Sequence, residues 1–289
     1  MHPTLYPSNA VSPMPTQIEK HRRFRNLHER PGLFVIPNPW DAGSARILTT
    51  LGFEALATTS AGFSFSIGRR DSVGAVTREE LLENARMIVE ATHLPVSADL
   101  EGGFGDTPEA CAETIRRAAA IGLVGGSIED SGADPRHPIY DFAQAVERIA
   151  AAAEAARQLP FVLTARAENF LYDRPDLDDT IRRLRAFEAA GADVLYAPGL
   201  PSLDAIRAVC AAVRKPINVV MGLKGAPYTV EQLRAAGVKR ISVGGSFARA
   251  ALGAFLRAAR EVKERGTFTY AADAMPDAEA NGYMADTTR

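Results

Sequence analysis

The chain has 289 residues, of which 46% are hydrophobic and 24% are charged, and its formal net charge is −2. These values are typical of a globular protein with enough apolar surface for a sizeable core. The charge balance provides no basic field, so we expect no nucleic-acid partner. No run approaches the roughly 18 apolar residues of a membrane span, and the proline-bearing N-terminal segment lacks the apolar stretch of a signal peptide. We therefore expect a cytoplasmic protein with no membrane partner.

Two cysteines, Cys111 and Cys210, are too few for a disulfide framework. Each lies in an apolar helical pattern, where a free cysteine is typically a small buried hydrophobic side chain. This cysteine usage agrees with a reducing compartment. We divide the chain into a disordered segment over 1–16, one folded domain over 17–267, and a small, polar and acidic tail over 268–289.

Short apolar runs alternate with amphipathic helices along the folded domain. The apolar residues of the helices recur with a period of 3.6, and Thr77 with Glu80 and Thr229 with Gln232 have the spacing of a capping box. The runs themselves read as parallel strands covered on both faces. They are Leu33–Asn38, Ala55–Ser60, Pro95–Glu101, Gly125–Asp130, Phe161–Glu168, Val194–Gly199, Pro216–Gly222 and Arg240–Gly245.

Eight such strand–helix units in one uninterrupted series predict a closed (β/α)8 TIM-type barrel. An open doubly wound sheet is the alternative. The glycine spacing G-x-G-x-x-G that opens a dinucleotide site does not follow the first strand, and the glycines at 102–105 have a different spacing. The barrel is therefore the preferred fold.

Acidic residues gather where successive predicted strands end. The third strand ends in Asp99 and Glu101, which lie on one side of the pleat, and the fourth ends in Glu129. A single acid at such a place is commonly a helix cap or an ion-pair partner. Acids on neighbouring strand ends of a barrel instead converge on the catalytic face, where a hard divalent cation such as Mg²⁺ offsets their repulsion.

Five motifs in this order resemble the isocitrate lyase and phosphoenolpyruvate mutase superfamily, and most closely its phosphoenolpyruvate mutase-like branch. The motifs are PNPWDAGSARIL, TTSAGFSFSIGRRDS, ADLEGGFGD, GGSIEDS and LTARAENF. They fall on successive strand ends of the predicted barrel, and the resemblance extends from about Pro37 to Arg249.

The resemblance implies a Mg²⁺ site, with Mn²⁺ as the alternative, whose carboxylates are Asp99, Glu101 and Glu129. Glu101 stands where many relatives have aspartate. Asp71 would be a further acid of this catalytic site. Members of the superfamily commonly assemble as homotetramers that exchange the last barrel helix, here Ser246–Gly266, so a homo-oligomer with swapped helices is also implied.

The resemblance also implies a substrate site for a small carboxylate. Arg166 would hold a substrate oxygen and stabilise an enolate, and the backbone amides of Ser60 and Ala61 would bind a carboxylate. Asn218 on the seventh strand is a further candidate for binding substrate from inside the barrel. The reaction so implied is cleavage of a carbon–carbon bond next to the carbonyl of a 2-oxo or 2-hydroxy (di)carboxylate, by a lyase or decarboxylase.

The segment after the fourth strand departs from the family pattern. Residues 131–142 contain neither the cysteine of the lyases nor the lysine and asparagine of the mutases. His137 and Tyr140 in this segment are therefore candidate proton donors, and Tyr196 at the end of the sixth strand is a comparable candidate. Two alternatives stay open: an enzyme acting on a P–C bond, either a mutase or a phosphonopyruvate hydrolase, and a non-catalytic barrel that binds a small acid.

Overall fold

A computed structural model describes residues 14–72, 74–223 and 225–285. Residues 1–13, which make up most of the predicted disordered segment, lie outside these ranges. The strands are β1 Phe34–Ile36, β2 Leu56–Ala57, β3 Val96–Asp99, β4 Gly125–Glu129, β5 Val162–Arg166, β6 Val194–Tyr196, β7 Ile217–Val220 and β8 Arg240–Ser242. The α-helices are α1 Gln17–Glu29, α2 Ala42–Thr50, α3 Ser60–Ser66, α4 Arg78–Glu90, α5 Pro108–Ala120, α6 Phe142–Arg157, α7 Leu177–Ala190, α8 Leu203–Ala212, α9 Val230–Ala235, α10 Ser246–Arg265 and α11 Asp277–Met284.

The strands form a parallel barrel, which confirms the predicted fold class. In the described residues the sheet has eight strands in the order β1-β8-β7-β6-β5-β4-β3-β2. The remaining gap between β1 and β2 is bridged by the backbone N–H of Ala57, which donates to the carbonyl of Pro37 at 3.0 Å. Asn38 adds a side-chain bond to the carbonyl of Thr58 at 2.9 Å.

Local sequence chemistry accounts for where the helices begin. Thr77 and Thr229 both form the capping boxes that their spacing predicts, with Glu80 and Gln232. Helices α2 and α3 do not show in the sequence pattern, because both are short and rich in small residues. Asp41 caps α2 by accepting from Ser44 N–H, and Thr59 caps α3 by accepting from Gly62 N–H.

The core lies between the barrel and its helices, and a smaller apolar cluster closes the barrel at the amino ends of the strands. Phe24 of α1 is fully buried in this smaller cluster against Phe34, Val162 and Val194. Because this end is blocked by apolar side chains, access to the barrel interior is from the carboxyl ends of the strands.

Helix α10 differs from the other barrel helices because it leaves its apolar side exposed. Within α10, Ala248 is the one buried residue, whereas Phe247, Leu252, Phe255 and Leu256 are exposed. After α10 a 3₁₀ turn and α11 follow, and α11 packs on α2 through bonds from Arg46 to the carbonyls of Met284 and Ala285. No helix in the described ranges combines the length and apolar character needed to cross a bilayer.

Candidate active site

A cavity of about 390 Å³ opens at the carboxyl ends of the barrel strands. The acids of four successive motifs line it, and the sequence predicts such acids for this face of a barrel. Its charged lining residues among those described are five acids and two arginines: Asp71, Asp99, Glu101, Glu129, Glu168, Arg166 and Arg240.

Arg166, the last residue of β5, is the centre of this charge cluster. Its Nη1 lies 3.1 Å from Asp99 Oδ1 and 3.1 Å from Glu129 Oε2, and its Nε donates to Glu168 Oε1 at 2.9 Å. The guanidinium also lies over the ring of Tyr196, with its central carbon 4.9 Å from the ring centroid. One cation, its side chain 13% exposed, therefore ties together the acids of β3, β4 and the segment after β5.

Ser60 joins the start of α3 to this cluster. Its hydroxyl donates to Asp99 Oδ2 at 2.8 Å, and its backbone N–H donates to the same oxygen at 3.3 Å. The two amides that the resemblance assigns to a substrate carboxylate, those of Ser60 and Ala61, thus belong to residues that line the cavity. In this structure the Ser60 amide faces the Asp99 carboxylate.

Glu101 projects from a strained loop that follows β3. Its φ is +48°, an unfavourable value for a residue with a Cβ, and Phe104 has a φ of +59°. The loop packs so closely that a Cβ on Gly102 would lie 2.6 Å from the carbonyl oxygen of Ser131. Arg148, which is buried, holds the loop by donating to the carbonyls of Gly102 and Gly105.

The acids in the cavity are not fully balanced by cations. Burial raises the pKa of Glu101 to about 8, and Asp99, Glu129 and Asp71 add to that effect. Asp71 is exposed in the single chain, and partial desolvation, followed by the charge of Asp99, raises its pKa. The pKa of Glu129 is likewise raised, mainly by burial. A site with this charge excess stabilises an additional cation.

The donor set fits a hard divalent cation. Asp99, Glu101, Glu129 and Asp71 offer only oxygen atoms, which Mg²⁺ and Mn²⁺ prefer. Among the described residues, no three acidic, histidine or cysteine side chains converge closely enough to form a complete protein cage. Mg²⁺ needs no such cage, since it usually keeps several waters and takes one or two carboxylates together with the substrate.

A second ionic network supports the site from behind. Asp130, 1% exposed, accepts from the backbone N–H of Glu168 at 2.8 Å and from Arg183 Nη1 at 3.1 Å. Arg183 also donates to the carbonyl of Tyr140 at 2.9 Å and to Asp179 at 2.8 Å. Helix α7 thereby fixes the backbone on which Glu168 lies.

The two candidate proton donors of the loop after β4 lie outside the cavity lining. The side chain of His137 is 74% exposed and contacts Asp134 at 3.4 Å. Tyr140 donates to Asp106 at 2.6 Å and stacks on Arg148, in a neighbouring cleft that it shares with Glu101. The phenols in the cavity itself are those of Tyr172 and Tyr196.

Asn218 lies inside the barrel and lines the cavity, as the sequence analysis expected. Its side chain donates to Ser242 Oγ at 3.0 Å and accepts from Arg240 Nε at 2.8 Å. The sequence analysis did not single out Arg240. Arg240 precedes Ser242 by two residues on the same strand, so the two side chains lie on the same face of the sheet. This spacing was the sequence signal that could have placed Arg240 in the cavity.

Comparison with known proteins places these features in a family. The phosphoenolpyruvate phosphomutase family matches residues 24–263. An oxaloacetate decarboxylase of Bradyrhizobium sp. is 30% identical over 71% of this chain and 70% of its own length. A 2-methylisocitrate lyase of Shewanella oneidensis is 29% identical over 76% and 77% of the two chains. A crystal structure of a putative lyase/mutase from Burkholderia cenocepacia is 57% identical, with a TM-score of 0.90 over 93% of this chain and 96% of that one.

Proposed function

This chain belongs to the phosphoenolpyruvate phosphomutase family, within the isocitrate lyase/phosphoenolpyruvate mutase superfamily, and we propose that it is a divalent-metal-dependent carbon–carbon lyase or decarboxylase. Its substrate is a small 2-oxo or 2-hydroxy dicarboxylate. The observation that supports this most directly is the half-buried Arg166 surrounded by the acids of successive strand ends. The names of its relatives, a decarboxylase of oxaloacetate and a lyase of 2-methylisocitrate, agree with that chemistry.

Each side chain then has a defined task. Asp99, Glu101 and Glu129 would hold Mg²⁺ or Mn²⁺, which when bound supplies Lewis-acid stabilisation of negative charge on oxygen. Arg166 binds the substrate carbonyl oxygen and stabilises the charge that develops there as the adjacent bond breaks. The amides of Ser60 and Ala61 orient the substrate carboxylate.

The proton that completes the reaction comes from inside the cavity. The phenols of Tyr196 and Tyr172 both carry a proton at neutral pH, as tyrosine ordinarily does, and burial raises the pKa of each further, which makes them weak acids. Tyr196 lies against Arg166, and Tyr172 lines the same cavity. We therefore favour these two phenols over the exposed His137 as proton donors.

The direct test is pyruvate formation by protein stripped of metal with a chelator and then reloaded with Mg²⁺. Oxaloacetate, substituted malates and phosphonopyruvate are the substrates to compare. The proposal predicts metal-dependent pyruvate from a carbon acid, without phosphate release from phosphonopyruvate. Phosphate release or phosphoenolpyruvate formation from phosphonopyruvate would instead indicate a P–C bond enzyme, and oxalate binding without any turnover would indicate a non-catalytic barrel.

A matched pair of variants assigns the activity to this site. Arg166→Met should lower kcat by on the order of 10²–10³-fold, the usual loss when one donor to a developing oxyanion is removed. Arg136→Met is the control, because Arg136 lies in the exposed loop after β4 and pairs only locally with Asp134. If both variants retained wild-type turnover, the activity would not arise at Arg166.

We also propose that the protein is a homo-oligomer assembled through α10, in line with the helix exchange that the family resemblance implies. The exposed apolar side of this helix borders a small groove lined by Trp40, Phe65 and its own Phe255. Phe255→Asp should lower the molar mass measured by light scattering, because Phe255 is 69% exposed in the single chain. Leu51→Asp, at an exposed site on another helix end, is the control. An unchanged mass for Phe255→Asp would contradict this assembly.

A further inference from the structure

The interior of the barrel below Arg166 is unusually polar. Successive inward positions hold Ser97, Ser127, Asn218 and Ser242, all of which line the cavity. Barrels of this type are normally filled at these levels by bulky branched apolar side chains. The small polar residues leave room, so the cavity continues from the acid cluster into the barrel.

Arg240 lies at the inner end of this polar space. It is 5% exposed and lines the cavity. Its guanidinium donates to Asn218 at 2.8 Å and to Thr164 at 3.0 Å, and it lies 3.4 Å from His28 Nε2. Among the described residues these partners are all uncharged, since burial lowers the pKa of His28 to about 3 and keeps its ring neutral.

A buried guanidinium without a carboxylate partner is uncommon, because taking a charge out of water is costly unless an opposite charge accompanies it. Three hydrogen-bond contacts leave part of the five-donor guanidinium available. A carboxylate is the group that fits this geometry, since it can accept two parallel bonds from one arginine.

The spacing of residues along β5 indicates how far apart the two arginines act. Thr164, which Arg240 contacts, precedes Arg166 by two residues on the same face of β5, and two strand residues span about 7 Å. Tyr196, on the strand next to β5, also lines the cavity, and the charges of Arg166 and Arg240 both act to lower the pKa of its phenol against the larger effect of burial. A molecule with one polar end at Arg166 can therefore place a second polar end toward Arg240.

We infer that Arg240, with Thr164, Asn218 and Ser242, forms a second subsite that binds a carboxylate on the substituent of the substrate. The inference rests on the proposed function in one respect, because it takes the reacting end of the substrate to lie at Arg166. It makes Arg240 a specificity-determining residue, which selects 2-oxo diacids over 2-oxo monoacids of the same length.

The test compares dissociation constants by titration calorimetry on the metal-loaded protein. The probes are 2-oxoglutarate against 2-oxopentanoate, and 2-oxoadipate against 2-oxohexanoate, with oxalate as a probe of the Arg166 end alone. The wild type should prefer the diacid by on the order of thirtyfold at the length that reaches Arg240, the lower end for a buried charge pair. The preference for the diacid should differ between the five-carbon and six-carbon acids. A general attraction to positive charge would favour the diacid equally at both lengths.

Arg240→Met should abolish the diacid preference and leave oxalate binding unchanged, and Arg240→Lys should keep part of the preference. Equal affinities for matched diacids and monoacids in the wild type, or a preference that Arg240→Met does not alter, would overturn the inference. If Arg240→Met does not fold, the wild-type length series decides alone, and a flat series overturns the inference. A failure of the lyase proposal would be seen in a different measurement. The protein would then form no metal-dependent pyruvate, whichever acids it binds.

Discussion

Replacement of Arg183 by methionine tests whether the network behind the site stabilises the fold. Arg183 is nearly buried, its side chain 8% exposed, and it is the cation that faces the buried Asp130 at 3.1 Å. Methionine fills a similar volume without charge. The substitution therefore leaves the Asp130 carboxylate buried, with the Glu168 amide as its remaining donor in the described residues.

Removing one partner of a buried ion pair costs about 3–5 kcal/mol of folding free energy. For a domain of this size each kcal/mol corresponds to about 2–4 °C in Tm, so the melting temperature should fall by roughly 10 °C. Arg182→Met is a matched control on the same helix. Arg182 pairs with Asp179 at 2.5 Å but its side chain is 60% exposed, and such a pair contributes about 1 kcal/mol or less.

Calorimetric melting of wild type, Arg183→Met and Arg182→Met at one pH measures the difference directly. Because Asp130 positions the Glu168 backbone, Arg183→Met should also lower kcat at temperatures where it is fully folded, by about 10–100-fold. Equal melting temperatures for the two variants would refute the reasoning, since burial would then have no effect on the strength of the Arg183–Asp130 pair.

Three further predictions concern residues around the cavity. Arg148→Met should weaken Mn²⁺ binding about 10–100-fold, because it frees the carbonyls of Gly102 and Gly105 from their shared donor; an unchanged calorimetric Kd would contradict this. Burial lowers the folded-state pKa of His28 to about 3 from its usual 6.5. Between pH 3 and 6.5 the unfolded chain therefore has a protonated His28 and the folded chain a neutral one. The stability of the fold falls as the pH drops below 6.5. His28→Gln should remove up to about 1.4 kcal/mol per pH unit of this slope in urea unfolding, and parallel curves for the two proteins would count against it. His137→Ala, at an exposed loop position, should keep kcat within about twofold, and a large loss would make His137 a proton donor.

The sequence alone was sufficient where the structure follows from local rules. Alternating apolar runs and capping boxes predict the barrel, and the acids placed after those runs predict where Asp99 and Glu129 lie. Thr77 and Thr229 cap their helices as their spacing indicates. The order of the strand ends was enough to bring these acids to one face.

Contacts that depend on barrel closure could not be predicted in this way. Arg166 reaches acids on two other strands, and the sequence spacing of these residues does not indicate which of them it contacts. In the sequence, Arg240 is a charged residue in a strand run, and nothing in the run indicates that it lies inside the barrel. Its position there follows from the pairing of β8 with β1 and β7. Tyr140 was a candidate proton donor, whereas tertiary packing turns its hydroxyl to Asp106.

The most direct test of the central claim is calorimetric titration of Mn²⁺ and oxalate into chelator-stripped protein, for wild type and Asp99→Asn. The account predicts that oxalate binds wild type only when metal is present, and that Asp99→Asn weakens metal binding at least about tenfold. Oxalate binding that is equally tight in chelator, or metal affinity that does not change in Asp99→Asn, would contradict a cation-dependent keto-acid site at these strand ends.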